Sequence, residues 1–351
     1  MNGREIMRAS VRQFQRYYSP DVGDALRMDT STNVLGPHPA AIKALADISD
    51  LDLNQYPSTY SDGLRATLAE KYGLKTDHFV VGAGSDENID IICKCFLECG
   101  DRAVVPYPSY SLYDFFVTLN GGEIVAVDLD EDFQLDVDTM LSAGGKMMIM
   151  PSPNNPTGNC FREKDIVEIL ERHSGIVVVD EAYGEFSGRS LIPRVEEFDN
   201  LIVIKTMSKA YALAGLRVGF SASNLKLADM MSCVKIPYSL NTLSERAAIA
   251  ALKDQGFILE TVRMVQENKP KLERSLQELG FRTYPSDGNF ILACPPIDHR
   301  QLTDGLRSRG ILIRDFGSKR RLENCVRMTI GTQELNDIML EKMREVIEEC
   351  R

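Results

Sequence analysis

The feature of this 351-residue chain that most constrains its fold is a series of short apolar runs, each followed by polar residues and a helical pattern. The clearest runs are FVVGAG (79–84), MMIMPSP (147–153), GIVVV (175–179) and LIVIK (201–205). Strands that are buried on both faces of a parallel sheet have such continuous apolar stretches. Because helical segments alternate with these runs, the pattern predicts an α/β fold with a mostly parallel sheet.

The pattern changes after about residue 250, where helices and strands no longer alternate regularly. An amphipathic helix is predicted at 267–280 and a closing helix at 334–350, with strands in between at 281–296, 310–316 and 325–332. This order is typical of an α+β unit. We therefore expect an N-terminal arm at 1–35, a large domain at 36–250 and a small C-terminal domain at 251–351.

Composition excludes several classes of protein. With 44% hydrophobic and 26% charged residues, the chain has the make-up of a globular protein. Its formal net charge of −11 argues against nucleic acid as the main partner, and no apolar run reaches the length of a membrane span. The first residues are basic but lack the apolar core and cleavage site of a signal peptide, so we expect a cytoplasmic protein.

The eight cysteines are scattered along the chain. Cys93, Cys95 and Cys99 lie close together in ICKCFLECGD, but no histidine is near them to complete a zinc site. We therefore expect buried thiols and no metal ligands there. A chain of this length also does not need disulfides for stability.

Polar residues gather where the predicted strands end, which is where open α/β sheets bind their ligands. These residues are Gly84 at the end of the first run with Ser85 and Asp86 after it, Asn155 after the second run, and Asp180 and Tyr183 after the third. Backbone amides at the helix start that follows Gly84 can bind an anion. The plainer alternatives are an N-cap at Ser85, a tight turn around Asn155 and an N-cap at Asp180.

The fourth run leads into KTMSKAYALAGLRVGF, which contains Thr206, Ser208, Lys209 and Arg217. A lysine among Met, Ala and Leu residues loses water, which favours its neutral form. A neutral amine can attack a carbonyl group as a nucleophile. The plainer alternative is a surface lysine that caps a helix.

One ligand accounts for these residues together. A pyridinium ring needs an anion at its nitrogen, from Asp180, and hydrogen-bond donors at its phenolic oxygen, from Asn155 and Tyr183. Its aldehyde needs an amine, from Lys209, and Tyr110 can cover the ring face. Its phosphate needs hydroxyls, backbone amides and a cation, from Thr206, Ser208, Gly84, Ser85, Asp86 and Arg217. That ligand is pyridoxal 5′-phosphate, whose signature is a Schiff-base lysine with an acidic partner at the ring nitrogen.

Several stretches together resemble the fold-type-I pyridoxal-phosphate aminotransferases, and most closely the histidinol-phosphate aminotransferases. They are NQYPSTYSDGLRATLAEKYG, VGAGSDENID, PYPSYSLY, NNPTG, VVVDEAYGEFSG, TMSKAYALAGLRVGF, GNFIL, GILIRDFG and VRMTIGT. They follow the order of the family and cover nearly the whole chain. The resemblance implies a large domain with a seven-stranded sheet and catalytic roles for Lys209, Asp180 and Tyr183.

The resemblance also implies roles that the strand ends do not indicate. Tyr56 would reach the cofactor phosphate of the neighbouring subunit, so the active sites would require a homodimer. Arg314 and Arg327 would hold the anionic end of the substrate, since a guanidinium suits phosphate or carboxylate better than a surface ion pair with Asp315. Tyr18 would close over the substrate from the N-terminal arm. Asn33 is assigned to the substrate in the same way.

One stretch departs from the family pattern. The family usually has Asn-Glu-Asn-Pro before Gly36-Pro37, and here the glutamate is replaced by Thr32 in STNVLGPHP. This segment lines the substrate pocket in the family, so the change concerns the substrate and not the cofactor. DTSTN also resembles the start of the threonine-phosphate decarboxylases, whereas GSDE and DEAYGEF favour an aminotransferase.

The implied reaction is ping-pong transfer of an amino group from histidinol phosphate to 2-oxoglutarate. Lys209 would act as general base and acid, and Asp180 would keep the cofactor ring protonated. The alternatives are an aromatic amino-acid aminotransferase and a threonine-phosphate decarboxylase-like lyase. A non-catalytic ligand-sensing regulator is disfavoured, because too few residues precede the matched region for a DNA-binding module and because Lys209 is retained.

Overall fold

The computed structural model describes residues 5–16 and 23–350. Its strands are β1 (Leu26–Arg27), β2 (Phe79–Gly82), β3 (Arg102–Tyr107), β4 (Glu123–Asp128), β5 (Met147–Pro151), β6 (Ile176–Asp180), β7 (Leu201–Thr206), β8 (Gly219–Ser223), β9 (Arg282–Thr283), β10 (Phe290–Cys294), β11 (Ile311–Leu312), β12 (Arg314–Asp315) and β13 (Val326–Thr329).

The α-helices lie between and after these strands. They are α1 (Pro39–Ala46), α2 (Asp62–Tyr72), α3 (Ser85–Phe96), α4 (Leu112–Leu119), α5 (Val137–Ser142), α6 (Glu163–Arg172), α7 (Gly184–Ser187), α8 (Leu225–Val234), α9 (Thr242–Lys253), α10 (Gln255–Glu278), α11 (His299–Ser308) and α12 (Gln333–Glu349). Short 3-10 helices occur at Ala9–Val11, Thr76–His78, Ile192–Arg194 and Ala214–Leu216.

The larger sheet has seven strands in the order β2-β8-β7-β6-β5-β3-β4. All neighbouring pairs are parallel except those of β8, which runs antiparallel to both β7 and β2. Successive residues of one strand enter different cores: Val177 and Val179 of β6 pack on one side of the sheet, and Val178 on the other. This double burial explains the continuous apolar runs, and the α/β prediction is confirmed.

The smaller sheet is antiparallel, with the order β12-β13-β10-β9, and α10 packs against both β9 and α12. β1 does not join the larger sheet. It pairs in parallel with β11, where the Leu26 N–H donates to the Gly310 carbonyl at 2.8 Å. The boundaries 1–35, 36–250 and 251–351 stay a prediction, and the last of them falls within α9 (Thr242–Lys253).

Some elements differ from the sequence expectation. The strand expected at 281–296 is divided into β9 and β10, and the one at 310–316 into β11 and β12. The Pro-Ser-Asp-Gly sequence at 285–288 causes the first division, because these residues favour turns. β8 was not predicted, since its sequence GFSAS lacks an apolar run. Within the described ranges, no helix is both long and apolar enough to cross a membrane.

The close contact between β8 and the start of α3 generates a test of the fold. A Cβ added to Gly219 would lie 2.3 Å from the carbonyl carbon of Gly84 and the nitrogen of Ser85, whereas one added to Gly215 would meet nothing within 4 Å. We expect Gly219→Ala to lower the free energy of unfolding by about 1–3 kcal/mol, as overpacking does. Gly215→Ala should change it by less than about 0.5 kcal/mol.

Urea denaturation of the two variants and the parent chain measures this difference. Both variants add one methyl group to a glycine, but only the group added to Gly219 meets backbone atoms. Equal stability of the two variants would mean that β8 and the α3 start are not held in this contact.

Candidate active site

A cavity of about 400 Å³ lies at the carboxyl ends of β5, β6 and β7. The larger sheet contributes Asp180 and Thr206 to its wall, and Lys209 follows β7 into it. The smaller sheet contributes Arg314 and Arg327 from the other side. The cavity therefore joins a carboxyl group, an amine and two guanidinium groups that are far apart in the sequence.

Asp180, the last residue of β6, is 4% exposed. Its Oδ2 accepts a hydrogen bond from the Tyr113 hydroxyl at 2.9 Å, and its Oδ1 accepts one from the Ala182 N–H at 3.0 Å. Burial raises the pKa of Asp180 to about 6, although both hydrogen bonds oppose this rise. The carboxyl group lacks a cationic partner among the described residues and can accept one from a ligand.

Lys209 extends its amine into the cavity. Its Nζ donates to the carbonyl oxygen of Thr30 at 2.8 Å and lies 5.5 Å from the centre of the Tyr183 ring. Tyr183 packs in turn edge-on against Phe290 of the smaller sheet, with 4.9 Å between the ring centres. The amine is thus held by a backbone carbonyl and an aromatic face, and no carboxylate within the described ranges neutralises it.

Hydroxyl groups and a guanidinium form a second part of the cavity. The Thr206 hydroxyl accepts a hydrogen bond from the Ser208 N–H at 3.1 Å and donates one to the Ser208 hydroxyl at 3.0 Å. Arg217 has a left-handed backbone with φ of 51° and pairs with Asp86 at 3.0 Å. Ser85 begins the twelve-residue helix α3 at the cavity wall. The first backbone N–H groups of a helix have no partner within the helix, so those of α3 are available to a ligand there. The arrangement suits a phosphate group.

Arg327 carries a buried positive charge. Its side chain is 6% exposed, its Nη1 donates to Asn155 Oδ1 at 2.6 Å, and its Nη2 donates to the Asp29 carbonyl at 2.7 Å. Its Nε is buried without a partner, and no carboxylate of residues 5–16 or 23–350 lies within 4.0 Å of the guanidinium. Burial lowers the pKa of Arg327. Because a buried charge without a counter-ion is costly, the cavity favours an anionic ligand at this position.

A buried ion cluster lies directly behind these groups. Lys205 precedes Thr206 on β7 and is 3% exposed, and its Nζ lies 2.8 Å from Glu185 and 3.5 Å from Glu181. Glu181 also accepts hydrogen bonds at 2.6 Å from the Ser190 hydroxyl and the Leu191 N–H. The cluster ties the end of β7 to the segment that follows Asp180.

The structure brings most of the predicted site residues to this cavity. Those that line it are Ser85, Asp86, Tyr110, Asn155, Asp180, Tyr183, Thr206, Ser208, Lys209, Arg217, Arg314 and Arg327. Gly84 is next to the cavity, with φ of 90°, and a Cβ on it would lie 2.6 Å from Arg217 Nη2. Tyr18 lies outside the described residues.

Two predicted residues lie elsewhere. The Asn33 side chain is not part of the cavity wall, because its Nδ2 donates to the Ala210 carbonyl and the Thr261 hydroxyl, at 3.1 and 3.0 Å. In this position Asn33 stabilises the backbone behind Lys209. Tyr56 is 82% exposed on the surface and stacks on Tyr238, with 4.8 Å between the rings. Within one chain it therefore contributes nothing to the cavity.

Sequence reasoning missed Tyr113, Thr30 and the Lys205 cluster. Tyr113 lies three residues after Tyr110 in the quoted YPSYSLY, and this helical spacing was a usable signal. The position of Lys205 at the end of an apolar run was another, because a charge there needs a buried partner. Thr30 contributes only its backbone carbonyl, which no side-chain pattern indicates.

Comparison with known proteins identifies the family. The sequence profile for aminotransferases of class I and II matches residues 24–343. The chain belongs to this family. The histidinol-phosphate aminotransferase of Caldanaerobacter subterraneus subsp. tengcongensis is 35% identical to this aminotransferase over 348 residues, which cover 97% of this chain and 99% of the relative. That of Pyrococcus furiosus is 36% identical over 310 residues, 88% of each chain.

A solved structure shows the same fold. The histidinol-phosphate aminotransferase of Sinorhizobium meliloti, determined in complex with pyridoxal 5′-phosphate, has a TM-score of 0.89 to this aminotransferase. The alignment covers 99% of this chain and 98% of that one, at 24% identity. This agreement confirms the predicted fold-type-I architecture, with a large sheet and a smaller α+β unit.

The cavity of this aminotransferase fits pyridoxal 5′-phosphate, the predicted cofactor that its family confirms. Burial without a cationic partner leaves Asp180 suited to a pyridinium nitrogen. The Thr206 and Ser208 hydroxyls, Arg217 and the α3 N-terminus provide the donors that a phosphate requires. Lys209 provides the amine that the cofactor's aldehyde requires.

The raised pKa of Asp180 predicts a pH-dependent stability of the cofactor-free protein. Its pKa rises from 3.8 in the unfolded chain to about 6 in the folded one, so proton binding by Asp180 stabilises the folded state. This stabilisation is complete at pH values below the lower pKa. It is lost as the pH increases through the upper value. Asp180→Asn removes this dependence. The unfolding free energy of the variant minus that of the parent chain should therefore increase by about 2–3 kcal/mol as the pH rises from about 4 to about 7.

Denaturation of both cofactor-free proteins at several pH values measures the difference. Tyr113→Phe is the companion variant: it removes a hydrogen bond that lowers the folded-state pKa of Asp180, so its loss of stability should begin at the same pH as in the parent chain but continue to higher pH. Parallel pH profiles for all three proteins would show that Asp180 titrates normally.

Proposed function

We propose that this aminotransferase transfers the amino group of histidinol phosphate to 2-oxoglutarate, as a step of histidine biosynthesis in the cytoplasm. The observation that carries the proposal is the buried, uncompensated guanidinium of Arg327, which lies next to Arg314 in the cavity of Asp180 and Lys209. Two arginines at one end of the cavity can bind the phosphate of the amino donor and also a carboxylate of the acceptor, so the same pocket can accept both substrates in turn. The names of the relatives from two organisms support the same donor.

The residues that would bind the cofactor have distinct tasks. When bound, pyridoxal phosphate supplies an aldehyde for the amino group and a ring that withdraws electrons from the reacting carbon. Asp180 holds the proton on the ring nitrogen. Asn155 and Tyr183 donate to the phenolic oxygen, and Tyr110 covers the ring face. The presence of all four side chains in the cavity wall supports this assignment.

Lys209 is the residue that moves the proton. Its Nζ removes the proton from the substrate's α-carbon as general base and returns a proton as general acid. Tyr183, whose ring lies 5.5 Å from this Nζ, and Thr30, whose carbonyl accepts from it, orient the amine. Arg327 and Arg314 fix the substrate's anionic end, so that the α-carbon is held toward the amine.

A donor comparison tests the proposal. Purified enzyme with pyridoxal phosphate is assayed for glutamate formation from 2-oxoglutarate, with histidinol phosphate, histidinol, phenylalanine or phosphothreonine as donor. We expect kcat/KM to be highest for histidinol phosphate, by about tenfold or more over phenylalanine, which corresponds to about 1.4 kcal/mol. A preference for phenylalanine, or loss of carbon dioxide from phosphothreonine, would contradict the proposed donor.

The arginines generate a sharper prediction. Arg314→Gln should raise KM for histidinol phosphate by about ten- to a hundredfold, because a hydrogen bond to a charged group contributes about 1.5–3 kcal/mol. With histidinol, which has no phosphate, kcat/KM should change by less than about threefold. Arg307→Gln is the matched control, since Arg307 lies on the surface of α11 and pairs with Asp304. An equal loss for both donors would assign Arg314 to a structural role.

The exposed tyrosine supports a homodimer with shared active sites. Tyr56 is 82% exposed, and Ile236 and Leu53 are exposed on the same chain at 58% and 54%. Tyr56 stacks on Tyr238, which is itself 41% exposed, so the two rings form one exposed aromatic patch of the kind that marks interaction surfaces. We propose that a second copy covers Tyr56, and that Tyr56 of the partner subunit donates to the cofactor phosphate.

Subunit complementation tests this arrangement. Lys209→Ala and Tyr56→Phe chains with different affinity tags are co-expressed, and the mixed dimers are isolated. One of the two sites in a mixed dimer combines an intact Lys209 with an intact Tyr56, so activity should recover to about half of that of the parent dimer. Each variant alone should be far less active. Mixed dimers without recovered activity would contradict sharing of the site.

A further inference from the structure

Two cysteines of the smaller sheet lie face to face. The register of β10 and β13 pairs Ala293 with Val326, and the next residues outward are Cys294 and Cys325. Their Sγ atoms are 2.7 Å apart. Directly opposed residues of antiparallel strands have their α-carbons about 4.5–5.5 Å apart, which is within the span of a disulfide. The two thiols can therefore bond without movement of the strands.

The surroundings make one of these thiols reactive. Cys294 is partly exposed, whereas Cys325 is buried. The Cys325 thiol, together with the Tyr284 hydroxyl at 3.9 Å, hydrogen-bonds to the Cys294 sulfur, and Arg282 lies nearby, so the pKa of Cys294 is lowered to about 7. A thiolate that is accessible and near neutral in pKa is an effective attacking group.

We propose that Cys294 and Cys325 form a reversible disulfide by exchange with a small-molecule disulfide of the glutathione type. Cys294 is the attacking residue and Cys325 the resolving one. The proposal rests on the opposed sulfurs, on the register of β10 and β13, and on the different exposure of the two side chains. It does not depend on the amino donor of the enzyme.

The exchange is balanced in atoms and electrons. The Cys294 thiolate attacks one sulfur of the oxidant, whose S–S bond breaks and releases one thiol after it takes up a proton. Cys325 then loses its proton to solvent and attacks the Cys294 sulfur of the mixed disulfide, which releases the second thiol. In total, two protein thiols are oxidised by two electrons and one small disulfide is reduced to two thiols.

The bridge would lie close to the proposed substrate arginines. Cys325 lies immediately before β13 and two residues before Arg327, and side chains two apart in an extended segment are on the same face of the sheet. Arg314 is opposite Arg327 on β12. A disulfide between Cys294 and Cys325 would therefore link β10 and β13 close to Arg327 and Arg314, the two residues of the smaller sheet that line the cavity.

Mass spectrometry of the full-length protein tests the proposal. The reduced protein is equilibrated in buffers of reduced and oxidised glutathione, quenched with acid, alkylated and digested without reductant. We expect a peptide pair linked through Cys294 and Cys325, at about tenfold higher occupancy than glutathione adducts on the exposed Cys99 or Cys350. The linked pair should disappear after treatment with excess dithiothreitol.

Single variants separate the two roles. Cys325→Ser lacks the resolving thiol, so glutathione should accumulate on Cys294 to about tenfold above its level in the parent protein. Cys294→Ser should leave the buried Cys325 unmodified. Cys233→Ser removes an exposed cysteine elsewhere and should leave the bridge unchanged.

The proposal fails if the parent protein forms no Cys294–Cys325 link in buffers that modify Cys99 or Cys350. It also fails if the link forms only after unfolding in urea, or if glutathione remains on Cys294 while Cys325 is still a free thiol. The first two measurements use the parent protein, so they remain decisive even where a serine variant does not fold.

Discussion

The buried ion cluster of Lys205 with Glu181 and Glu185 is the interaction on which the geometry of the site depends. Side chains alternate along a strand, so an ammonium group held behind β7 directs Thr206 to the opposite side, into the cavity. The same carboxylates hold the segment after Asp180. Removing one member of such a cluster leaves an uncompensated buried charge, which costs about 3–5 kcal/mol. The cluster thus fixes the end of β6, with Asp180, relative to the end of β7, with Thr206.

The cavity in front of this cluster is left with incomplete charge pairing. Asp180 has a raised pKa because it is buried without a cation, and Arg327 is buried without an anion. Each of these groups costs free energy in the empty protein and is stabilised by a ligand of opposite charge. A pyridinium ring would supply the cation for Asp180 at the larger sheet, and an anionic substrate would supply the anion for Arg327 at the smaller sheet. The strongest interactions with the cofactor and the substrate are therefore at the two points that orient them for the reaction.

Much of the fold and of the site could be predicted, because both depend on local sequence patterns. Apolar runs buried on both faces revealed β2, β5, β6 and β7, and the polar residues after them revealed Asp180, Thr206 and Lys209. β8 was missed because its glycine and serines resemble a loop. Asn33 was assigned to the substrate, but its hydrogen bonds go to Ala210 and Thr261. No local pattern reveals a partner 228 residues away.

By itself, the sequence determined the α/β class, the cofactor chemistry and the residues at each strand end, since these follow from periodicity and from residue type. Only the tertiary structure decided which groups meet across the chain. It placed the Tyr113 hydroxyl on Asp180, left Arg327 without a carboxylate, and set the sulfurs of Cys294 and Cys325 2.7 Å apart. The physical reason is that burial and pairing depend on distances in space, which the packing of two sheets establishes and linear order does not contain.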